Sequence, residues 1–273
     1  MPELPEVETT CQGITPHILN QTIVDMVVRN SSLRWPVSED GCQVTPNTQI
    51  TRVERRGKYI KIYIDDLGYW LVHLGMSGSL RIIDASEPVM KHDHVDLVLA
   101  DGIILRFNDP RRFGCWLFHS SKVSEPHALL AKLGPEPLSD AFDAKMLWQA
   151  ARNKKQSIKQ FIMDSHVVVG VGNIYASESL FKSGINPKRA ANRVSLERYA
   201  VLVDAIKAVL AFSIKQGGTT LRDFVNSDGK PGYFQQQLQV YGRDGESCRV
   251  CDTPIKKIVQ SNRSTFYCPA CQK

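Results

Sequence analysis

The chain has 273 residues, of which 42% are hydrophobic and 23% are charged, and its mean hydropathy is −0.22. This composition is ordinary for a globular protein, and the length is sufficient for two domains. The sequence has no apolar run near the roughly eighteen residues of a membrane span and no secretory signal at its start, so we expect a cytoplasmic protein with no membrane partner.

The charge is modestly basic and unevenly distributed, with a net value of +6 and a pI near 8.9. Residues 151–195 contain eight Lys and Arg but only two acidic residues, and residues 52–61 contain five basic residues and one Glu. Such clusters suit a polyanion such as nucleic acid, and an ordinary solvated surface explains them equally well.

The first predicted element is an amphipathic helix over residues 5–20. Val7, Cys11, Ile14 and Ile18 recur at spacings of three and four, and Pro5 suits a first helical position. Pro16 predicts a kink or an early end. A disordered tail is the alternative for the stretch MPELPEVETT that opens the chain.

From about residue 22 to residue 120 the hydrophobic period is two, which predicts β-strands. YIKIYI (59–64) alternates strictly, and VDLVLADGIILRF predicts a hairpin that turns at Asp101-Gly102. We expect a β-sandwich here, followed by a linker rich in Pro, Ser and Asp that begins at residue 133.

The second half of the chain is predicted to be helical. A helix starts near Asn173 after a glycine turn, and a longer one is capped by Ser195 and stopped by Gly217-Gly218. Two helices joined through such a turn are typical of helix-turn-helix geometry, and the turn offers N–H groups to a phosphate. Residues 217–237 are predicted to form a mobile loop.

Four of the seven cysteines form a metal-binding pattern at the end of the chain. The pairs CRVC and CPAC are separated by sixteen residues, which is the spacing of a structural zinc ribbon. Four thiolates leave no open coordination position, so we expect one structural Zn²⁺ per chain, held by Cys248, Cys251, Cys268 and Cys271. A pair of disulfides is the alternative.

The first residues also have the chemistry of a nucleophile. If the initiator methionine is removed, the chain begins with the secondary amine of Pro2 beside the carboxylate of Glu3. An α-amino group has a pKa near ~8, so roughly a tenth of it is free base at neutral pH. A secondary amine that attacks an aldehyde-level carbon forms an iminium cation, which promotes elimination at the neighbouring carbon.

Several motifs in order along the chain resemble those of the formamidopyrimidine-DNA glycosylase family, within the endonuclease VIII-like superfamily. They are MPELPEVET, HLGMSGSL, KHDHVD, DPRRFG, VGVGNIYASE, SDGKPGYF and the paired CxxC ribbon. The resemblance implies a base excision repair enzyme that removes 8-oxoguanine and formamidopyrimidines from duplex DNA. It also implies an abasic-site lyase that acts by β,δ-elimination in the bacterial cytoplasm, associated with the nucleoid, as a monomer.

The resemblance implies four catalytic residues. Pro2 would attack C1′ and Glu3 would act as the general acid and base. Lys58 would assist departure of the base and β-elimination. Arg263 would contact phosphate and act as the acid of δ-elimination, although a pKa above ~12 favours the phosphate role.

The resemblance also implies a set of DNA contacts, with one subset that fills the space left by a flipped base. The predicted wedge contains Met76, Arg111 and Phe113, since a soft side chain, a flat one and a hydrogen-bonding one suit that task. The further predicted DNA-binding residues are His73, His92, Lys154 and Asn173. Core packing is the alternative for Met76, Phe113 and His73.

The expected fold is α+β with two domains: an N-terminal helix plus an antiparallel β-sandwich, then a helical domain with a helix-two-turn-helix and a four-cysteine zinc ribbon. The predicted ranges are 2–132 for the catalytic domain, 133–150 for the linker, 151–237 for the helical domain, with a lesion-capping loop at 217–237, and 238–273 for the zinc finger.

Two other functions are consistent with the residues. A non-catalytic DNA-binding zinc protein would explain the basic clusters and the ribbon, but it leaves a terminal proline without a use. A glycosylase specific for oxidised pyrimidines, as in the endonuclease VIII branch, would share the proline chemistry.

Overall fold

The computed structural model describes residues 2–218 and 238–273, which fall into two compact units. The first unit contains the residues up to 131 together with Gly217 and Gly218, and the second contains 132–216 and 238–273. Within these ranges no helix combines the length and the apolar character needed to cross a membrane.

The first unit contains three helices and eight strands. Its helices are α1 (Leu4–Ile18), α2 (Glu39–Val44) and α3 (Ala128–Ala131). Its strands are β1 (Thr22–Val28), β2 (Thr48–Arg56), β3 (Tyr59–Ile64), β4 (Gly68–His73), β5 (Ser79–Asp84), β6 (Asp93–Leu99), β7 (Ile103–Asn108) and β8 (Cys115–Ser120).

The strands form an antiparallel β-sandwich. The strand order is β5-β7-β6-β1-β2-β3-β4-β8, and β1 joins β2 through only two residue pairs, Thr22 with Gln49 and Ile23 with Thr48. This short junction lets four strands on each side form the two layers. The predicted alternation in 59–64 is confirmed, because every second residue of β3 is buried. The predicted turn at Asp101-Gly102 joins β6 to β7, and Gly102 has a φ of +87°.

Helix α1 packs its apolar stripe into the core of this unit, and Val7, Cys11, Ile14 and Ile18 are all buried as predicted. The helix continues through Pro16 to Ile18, so of the two alternatives predicted at Pro16 an end at that residue is wrong, and a kink stays a prediction. Proline removes one N–H from the final turn, and burial of Ile18 holds that turn in place. Deeper in the core, the rings of Trp70 and Trp116 pack with centroids 6.1 Å apart.

The second unit consists of helices followed by a small hairpin. Its elements are α4 (Ala144–Ala151), α5 (Ile158–Ile162), α6 (Asn173–Lys182), a 3-10 turn (Ala191–Arg193), α7 (Leu196–Lys215), β9 (Lys256–Gln260) and β10 (Arg263–Tyr267). Helix α7 is capped by the Ser195 side chain, which accepts from the N–H of Arg198, and α6 begins at Asn173. Both helix starts match the sequence predictions.

The linker predicted over 133–150 differs from the structure in its second half, because residues 144–151 form α4. The Asp143 side chain accepts from the N–H of Met146 at 2.7 Å and caps this helix, and Leu147 is fully buried. The Pro and Ser residues that predict a linker lie before Asp143, whereas residues 144–151 (AKMLWQAA) contain neither, and the Asp143 cap and the buried Leu147 let them form a helix.

Glu178 fixes the start of the C-terminal segment to α6. Its carboxylate accepts three backbone N–H groups, from Gln239, Val240 and Tyr241, at 2.9–3.0 Å. Burial raises the pKa of Glu178, while these three donors oppose the shift. The buried carboxylate of Glu178 thus joins the start of the zinc-ribbon segment to α6, and Phe181 of the same helix packs against the core of that segment.

Candidate active site, DNA-contact loops and zinc centre

Pro2 and Glu3 lie buried at the start of α1. Glu3 is the N-cap, and it forms a reciprocal capping box with Glu6: the Glu3 side chain accepts the N–H of Glu6, and the Glu3 N–H donates to Glu6 Oε2 at 2.8 Å. Gly218 packs against Glu6, since a Cβ built there would lie 3.3 Å from Glu6 Oε1. The capping box fixes the backbone that immediately follows the predicted nucleophile.

Lys58 lies in the two-residue turn between β2 and β3. Gly57 takes a φ of +59° there, and its carbonyl accepts from Arg55 Nη1 at 3.0 Å. The same guanidinium donates through Nε to Glu8 on α1 at 2.6 Å. Arg55 thereby joins the turn that carries Lys58 to the helix that begins with Glu3.

His73 is the end of β4 and lies directly across from Tyr59, with ring centroids 4.8 Å apart. Burial, with smaller effects from the positive charges of Lys58 and Arg34, lowers the pKa of His73 to about 4. Its Nδ1 accepts the N–H of Gly75 at 2.9 Å, so the proton of the neutral ring is on Nε2. His73 is therefore a neutral hydrogen-bond donor with a fixed tautomer.

The predicted wedge residues lie on two loops that contact each other. A Cβ on Gly75 would stand 2.4 Å from the backbone nitrogen of Gly114, so the loop that carries Met76 presses on the loop that carries Phe113. Met76 is 38% exposed and Phe113 is 44% exposed. Arg111 is exposed too, and its guanidinium lies 4.9 Å from the centre of the Phe113 ring. Core packing does not account for these side chains.

Asp109 is the buried carboxylate that organises both loops. Oδ1 accepts from Ser77 Oγ at 2.9 Å and from the N–H of Arg111 at 3.3 Å, and Oδ2 accepts the N–H of Gly114 at 2.8 Å. Asp109 is fully buried. The wedge side chains thus lie on loops whose backbones are fixed by hydrogen bonds to the buried carboxylate of Asp109.

His92 borders the same loop. It has a φ of +74°, and its carbonyl accepts the N–H of Asp109 at 3.0 Å. Its ring lies edge-on to that of His94, whose Nε2 is 2.8 Å from the carbonyl oxygen of Asp109. Asp109 therefore connects His92, through its backbone N–H, to the loops that carry Met76, Arg111 and Phe113, which its carboxylate fixes.

In the second unit Asn173 is the centre of a polar cluster at the start of α6. Its Oδ1 accepts from Lys159 Nζ at 2.6 Å, and its Nδ2 donates to the carbonyl of Ser264 at 3.0 Å. Lys159 Nζ also donates to Thr265 Oγ1 at 2.7 Å. This cluster connects α5 and α6 to the strand that follows Arg263.

Arg263 is exposed at the tip of the β9–β10 hairpin. Ser261 and Asn262 form the two-residue turn, with φ values of +46° and +59°, as the strand twist of a tight hairpin favours. Lys154 is also exposed, and its carbonyl accepts the N–H of Asn192 at 3.1 Å. Both residues are exposed to solvent.

The four predicted ligands form one thiol cluster, with all four Sγ atoms within 4.8 Å of one another. The individual Sγ–Sγ distances include 3.3 Å for Cys251–Cys271 and 3.9 Å for Cys248–Cys271. Zinc bonded to four sulfurs at ~2.3 Å separates them by roughly 3.8 Å. The donor set and its spacing fit a tetrahedral structural zinc and not a pair of disulfides.

Sequence reasoning did not find the contacts through which three residues hold these sites together; for Glu6 it predicted a helix-end charge, with assistance to catalysis as the alternative. Glu6 is part of an E-x-x-E capping box, a signal the sequence contains. Asp109 reads as a turn residue, and Lys159 reads as one basic residue among many. The partners of Lys159 in the hairpin are more than a hundred positions away in the chain, so no local pattern reveals them.

Three comparisons with known proteins agree with this arrangement. Residues 1–116 match the family described as formamidopyrimidine-DNA glycosylase N-terminal domain, 133–225 match the H2TH domain of that glycosylase, and 245–273 match the zinc finger found in FPG and IleRS. The formamidopyrimidine-DNA glycosylase of Marinobacter nauticus is 58% identical over 273 residues and covers the whole of both chains.

Solved structures give the same result. A complex of a Lactococcus lactis FPG mutant with DNA that contains Fapy-dG has a TM-score of 0.92 and 34% identity, with full coverage of both chains. The Lactococcus lactis Fpg bound to DNA with an abasic site has a TM-score of 0.92 and 33% identity over 99% of each chain. From its domains, its zinc finger and its full-length relatives, the chain belongs to the formamidopyrimidine-DNA glycosylase family.

Proposed function

We propose that the chain excises oxidised purines, namely 8-oxoguanine and formamidopyrimidines, from duplex DNA and then cleaves the abasic strand by β,δ-elimination. The observation that carries the proposal is the start of α1, where Pro2 precedes a buried Glu3 fixed by its capping box with Glu6. The relatives named above, which were crystallised with Fapy-dG and abasic-site DNA, support the choice of substrate.

In the first step the Pro2 nitrogen attacks C1′ of the damaged nucleotide. The bond from C1′ to the base breaks, and Lys58 assists departure of the base. Glu3 gives a proton to the sugar ring oxygen as the C1′–O4′ bond opens, which leaves an iminium between Pro2 and C1′. The capping box suits Glu3 to this role because it prevents the backbone from fraying.

The iminium then draws electrons from the sugar. Loss of a C2′ proton expels the 3′ phosphate, and a second proton loss further along the conjugated chain expels the 5′ phosphate. Water finally releases Pro2 from the sugar fragment. Arg263 would hold a phosphate during these steps, because a guanidinium donates hydrogen bonds to phosphate but gives up its proton poorly.

The wedge and the phosphate contacts make the flipped base accessible. Met76 and Phe113 would enter the stack, and Arg111 would bond the partner base, which the proposal identifies as cytosine. The neutral His73 would donate Nε2–H to a phosphate, and His92, Lys154 and Asn173 would contact the backbone. The predicted capping loop, 217–237, lies outside the described residues from 219 onward.

One zinc per chain would hold the finger through Cys248, Cys251, Cys268 and Cys271, and this ion supplies fold stability rather than chemistry. We propose that the enzyme acts as a monomer. We also propose that it works on the nucleoid in the cytoplasm, as expected of a DNA repair enzyme whose relatives are bacterial.

Borohydride trapping tests the mechanism. The reductant converts the imine into a permanent protein–DNA bond, and peptide mapping should find that bond on Pro2. An uncleaved N-terminal extension turns the Pro2 nitrogen into an amide and should abolish trapping, and removal of the same extension should restore it. Trapping on a lysine, or full strand cleavage by the extended protein, would overturn the proposal.

Competition between lesion duplexes tests the substrate. An 8-oxoguanine duplex should compete for excision much better than one that contains thymine glycol. The reverse order would favour the oxidised-pyrimidine function. A protein that binds both duplexes and traps with neither would be a DNA-binding zinc protein without catalysis.

A further inference from the structure

Three segments of the second unit are basic without any acidic residue. Residues 152–163, 183–195 and 256–267 together contain ten Lys and Arg and no Asp or Glu, whereas the whole chain has 34 basic and 28 acidic residues. The candidate site uses only Arg263 and Lys154 of this set for DNA, and Lys159 holds the hairpin. The other basic residues have no role in the proposed chemistry.

The fold brings the first two segments side by side. The N–H of Ile158 donates to the carbonyl of Arg189 at 2.7 Å, and the N–H of Ala191 donates to Gln156 at 2.9 Å. With the bond from Asn192 to Lys154, these contacts pair the two segments like short antiparallel strands. The basic side chains of residues 154–155 and 188–193 therefore lie on neighbouring stretches of backbone.

The hairpin that carries Arg263 borders the same stretch. Gln260 Nε2 donates to the carbonyl of Pro187 at 3.4 Å, and Lys188 Nζ lies 5.4 Å from the centre of the Tyr267 ring. The Gln160 side chain also donates to Ser261 Oγ in the hairpin turn. We call the exposed residues along this border the basic strip: Lys154, Lys155, Lys188, Arg189, Arg193 and Arg263.

The strip keeps its charge available to a partner. Within residues 2–218 and 238–273, none of its members forms a salt bridge. Two acids border these segments: Asp164 accepts from the N–H and from Nδ1 of His166 at 2.9 Å, and Glu197 hydrogen-bonds with Ser195. The Arg189 guanidinium makes only a long contact of 3.5 Å to the carbonyl of Arg193.

We propose that the basic strip binds the phosphate backbone of duplex DNA away from the lesion, with Lys155, Lys188, Arg189 and Arg193 as contacts additional to those of the active site. The choice of DNA rests on the proposed function, because the strip runs up to the hairpin whose Arg263 would hold a lesion-strand phosphate. Exposed Lys and Arg without acidic neighbours suit sequence-independent phosphate contacts.

The salt dependence of binding tests this proposal. The probe is a long duplex with one tetrahydrofuran abasic-site analogue, and the variant replaces three residues together: Lys188→Gln, Arg189→Gln and Arg193→Gln. Each phosphate contact adds about 0.9 to the slope of log affinity against log salt, so the slope should fall by about 2.7. The affinity loss between about 50 and 200 mM salt would then shrink roughly forty-fold.

A matched control removes the same charge elsewhere, through Lys122→Gln, Lys132→Gln and Lys145→Gln, which are exposed residues outside the strip. This variant should keep the wild-type slope. The proposal would be overturned if the wild type and the strip variant had the same salt slope. It would also be overturned if the control variant lowered the salt slope as much as the strip variant does. Arg193→Gln alone, with a fall of about 0.9, gives the same test if the triple variant does not fold.

Two further arms separate the partner and the chemistry. A duplex RNA of the same length should show a smaller change in slope than the DNA, and a larger one would overturn the assignment to DNA. Borohydride trapping of the wild-type protein tests the proposed catalysis independently. If the wild-type protein is never trapped but the strip variant still shows the smaller salt slope, the proposed DNA-binding surface stands and only the proposed catalysis fails.

Discussion

The β-sandwich and the zinc finger present functional side chains in two different ways. In the sandwich, the wedge loops are fixed by Asp109 above a large core that contains Trp70 and Trp116. In the finger, the core cluster of the described residues contains five buried residues, and two of these are the ligands Cys248 and Cys268. The sandwich therefore derives its order from apolar burial, whereas we expect the finger to depend on the metal that its four cysteines would bind.

The sandwich and the finger should therefore lose their folds in different ways. A region held by many apolar contacts loses stability gradually as single contacts are removed. A segment of some thirty residues with a small core loses its fold in one step when its metal leaves. The four predictions below test this contrast, beginning with the largest effect.

Removal of zinc should have the largest effect. Chelation, or Cys248→Ser, removes a binding free energy of about 10 kcal/mol and should unfold residues 238–273, so tight DNA binding is lost. Limited proteolysis with mass spectrometry should find new cleavage in that segment while the first 215 residues stay protected. Cys42→Ser is the matched control, because Cys42 lies outside the cluster. Undiminished binding of damaged duplex by the chelated protein would contradict the prediction.

Asp109→Ala should disrupt the wedge loops without unfolding the sandwich. The change leaves the N–H of Gly114 and the hydroxyl of Ser77 without their carboxylate partner, which should cost about 3 kcal/mol of unfolding free energy. Urea unfolding followed by circular dichroism measures this loss. Asp66→Ala, at an exposed turn, should change stability by under ~0.5 kcal/mol. Equal effects of the two changes would show that Asp109 does not organise the loops.

Acid should weaken the sandwich through His73. The folded pKa of about 4 lies below the usual value of 6.5, so the fold favours the neutral ring. The contribution of the neutral His73 ring to the free energy of unfolding is complete above the pKa that His73 has in the unfolded chain. It is lost as the pH falls from about 6.5 toward 4, with about 2 kcal/mol lost between pH 7 and pH 5. His73→Gln should lack this part of the acid sensitivity, and His17→Gln, on an exposed helix end, should retain it. Thermal unfolding across that pH range provides the measurement.

Glu6→Ala should have the smallest effect on stability. It removes one half of the capping box and should destabilise α1 by about 1 kcal/mol. Glu6→Gln keeps an oxygen that accepts the N–H of Glu3, so it should recover most of this loss. Hydrogen exchange at the first turn of α1 distinguishes the two. Equal protection in both variants would mean that the capping box does not fix this terminus.

Much of this structure follows from local patterns. Alternation in YIKIYI predicts β3, the stripe from Leu202 to Leu210 with the Ser195 cap predicts α7, and the cysteine spacing predicts the metal cluster. Each of these signals is contained within a short stretch. Glu178, by contrast, hydrogen-bonds to the backbone of residues some sixty positions away. Neither the composition nor the hydrophobic period of the sequence around Glu178 predicts these contacts.

The errors have a similar cause. Pro16 predicts an early helix end from its own chemistry, but burial of Ile18 extends the helix. The predicted linker extends the loop-like composition of residues 133–143 over residues 144–150, but AKMLWQAA contains no Pro or Ser, and Asp143 and Leu147 supply a cap and an anchor for a helix. In both places a tertiary contact outweighs a local preference of a few kcal/mol at most.

The positions of the tryptophans, of which Trp70 and Trp116 pack in the core of the sandwich, allow the unfolding of the finger to be distinguished from that of the rest of the chain. All four tryptophans of the chain, at positions 35, 70, 116 and 148, precede the finger. Three of them lie in the first unit and Trp148 lies on α4, so intrinsic indole fluorescence reports melting of the sandwich and of α4, whereas the aromatic residues of 238–273 are Tyr241, Tyr267 and Phe266. Ultraviolet absorption by a metal–thiolate centre would follow the finger at another wavelength, so one cuvette could record both transitions at once.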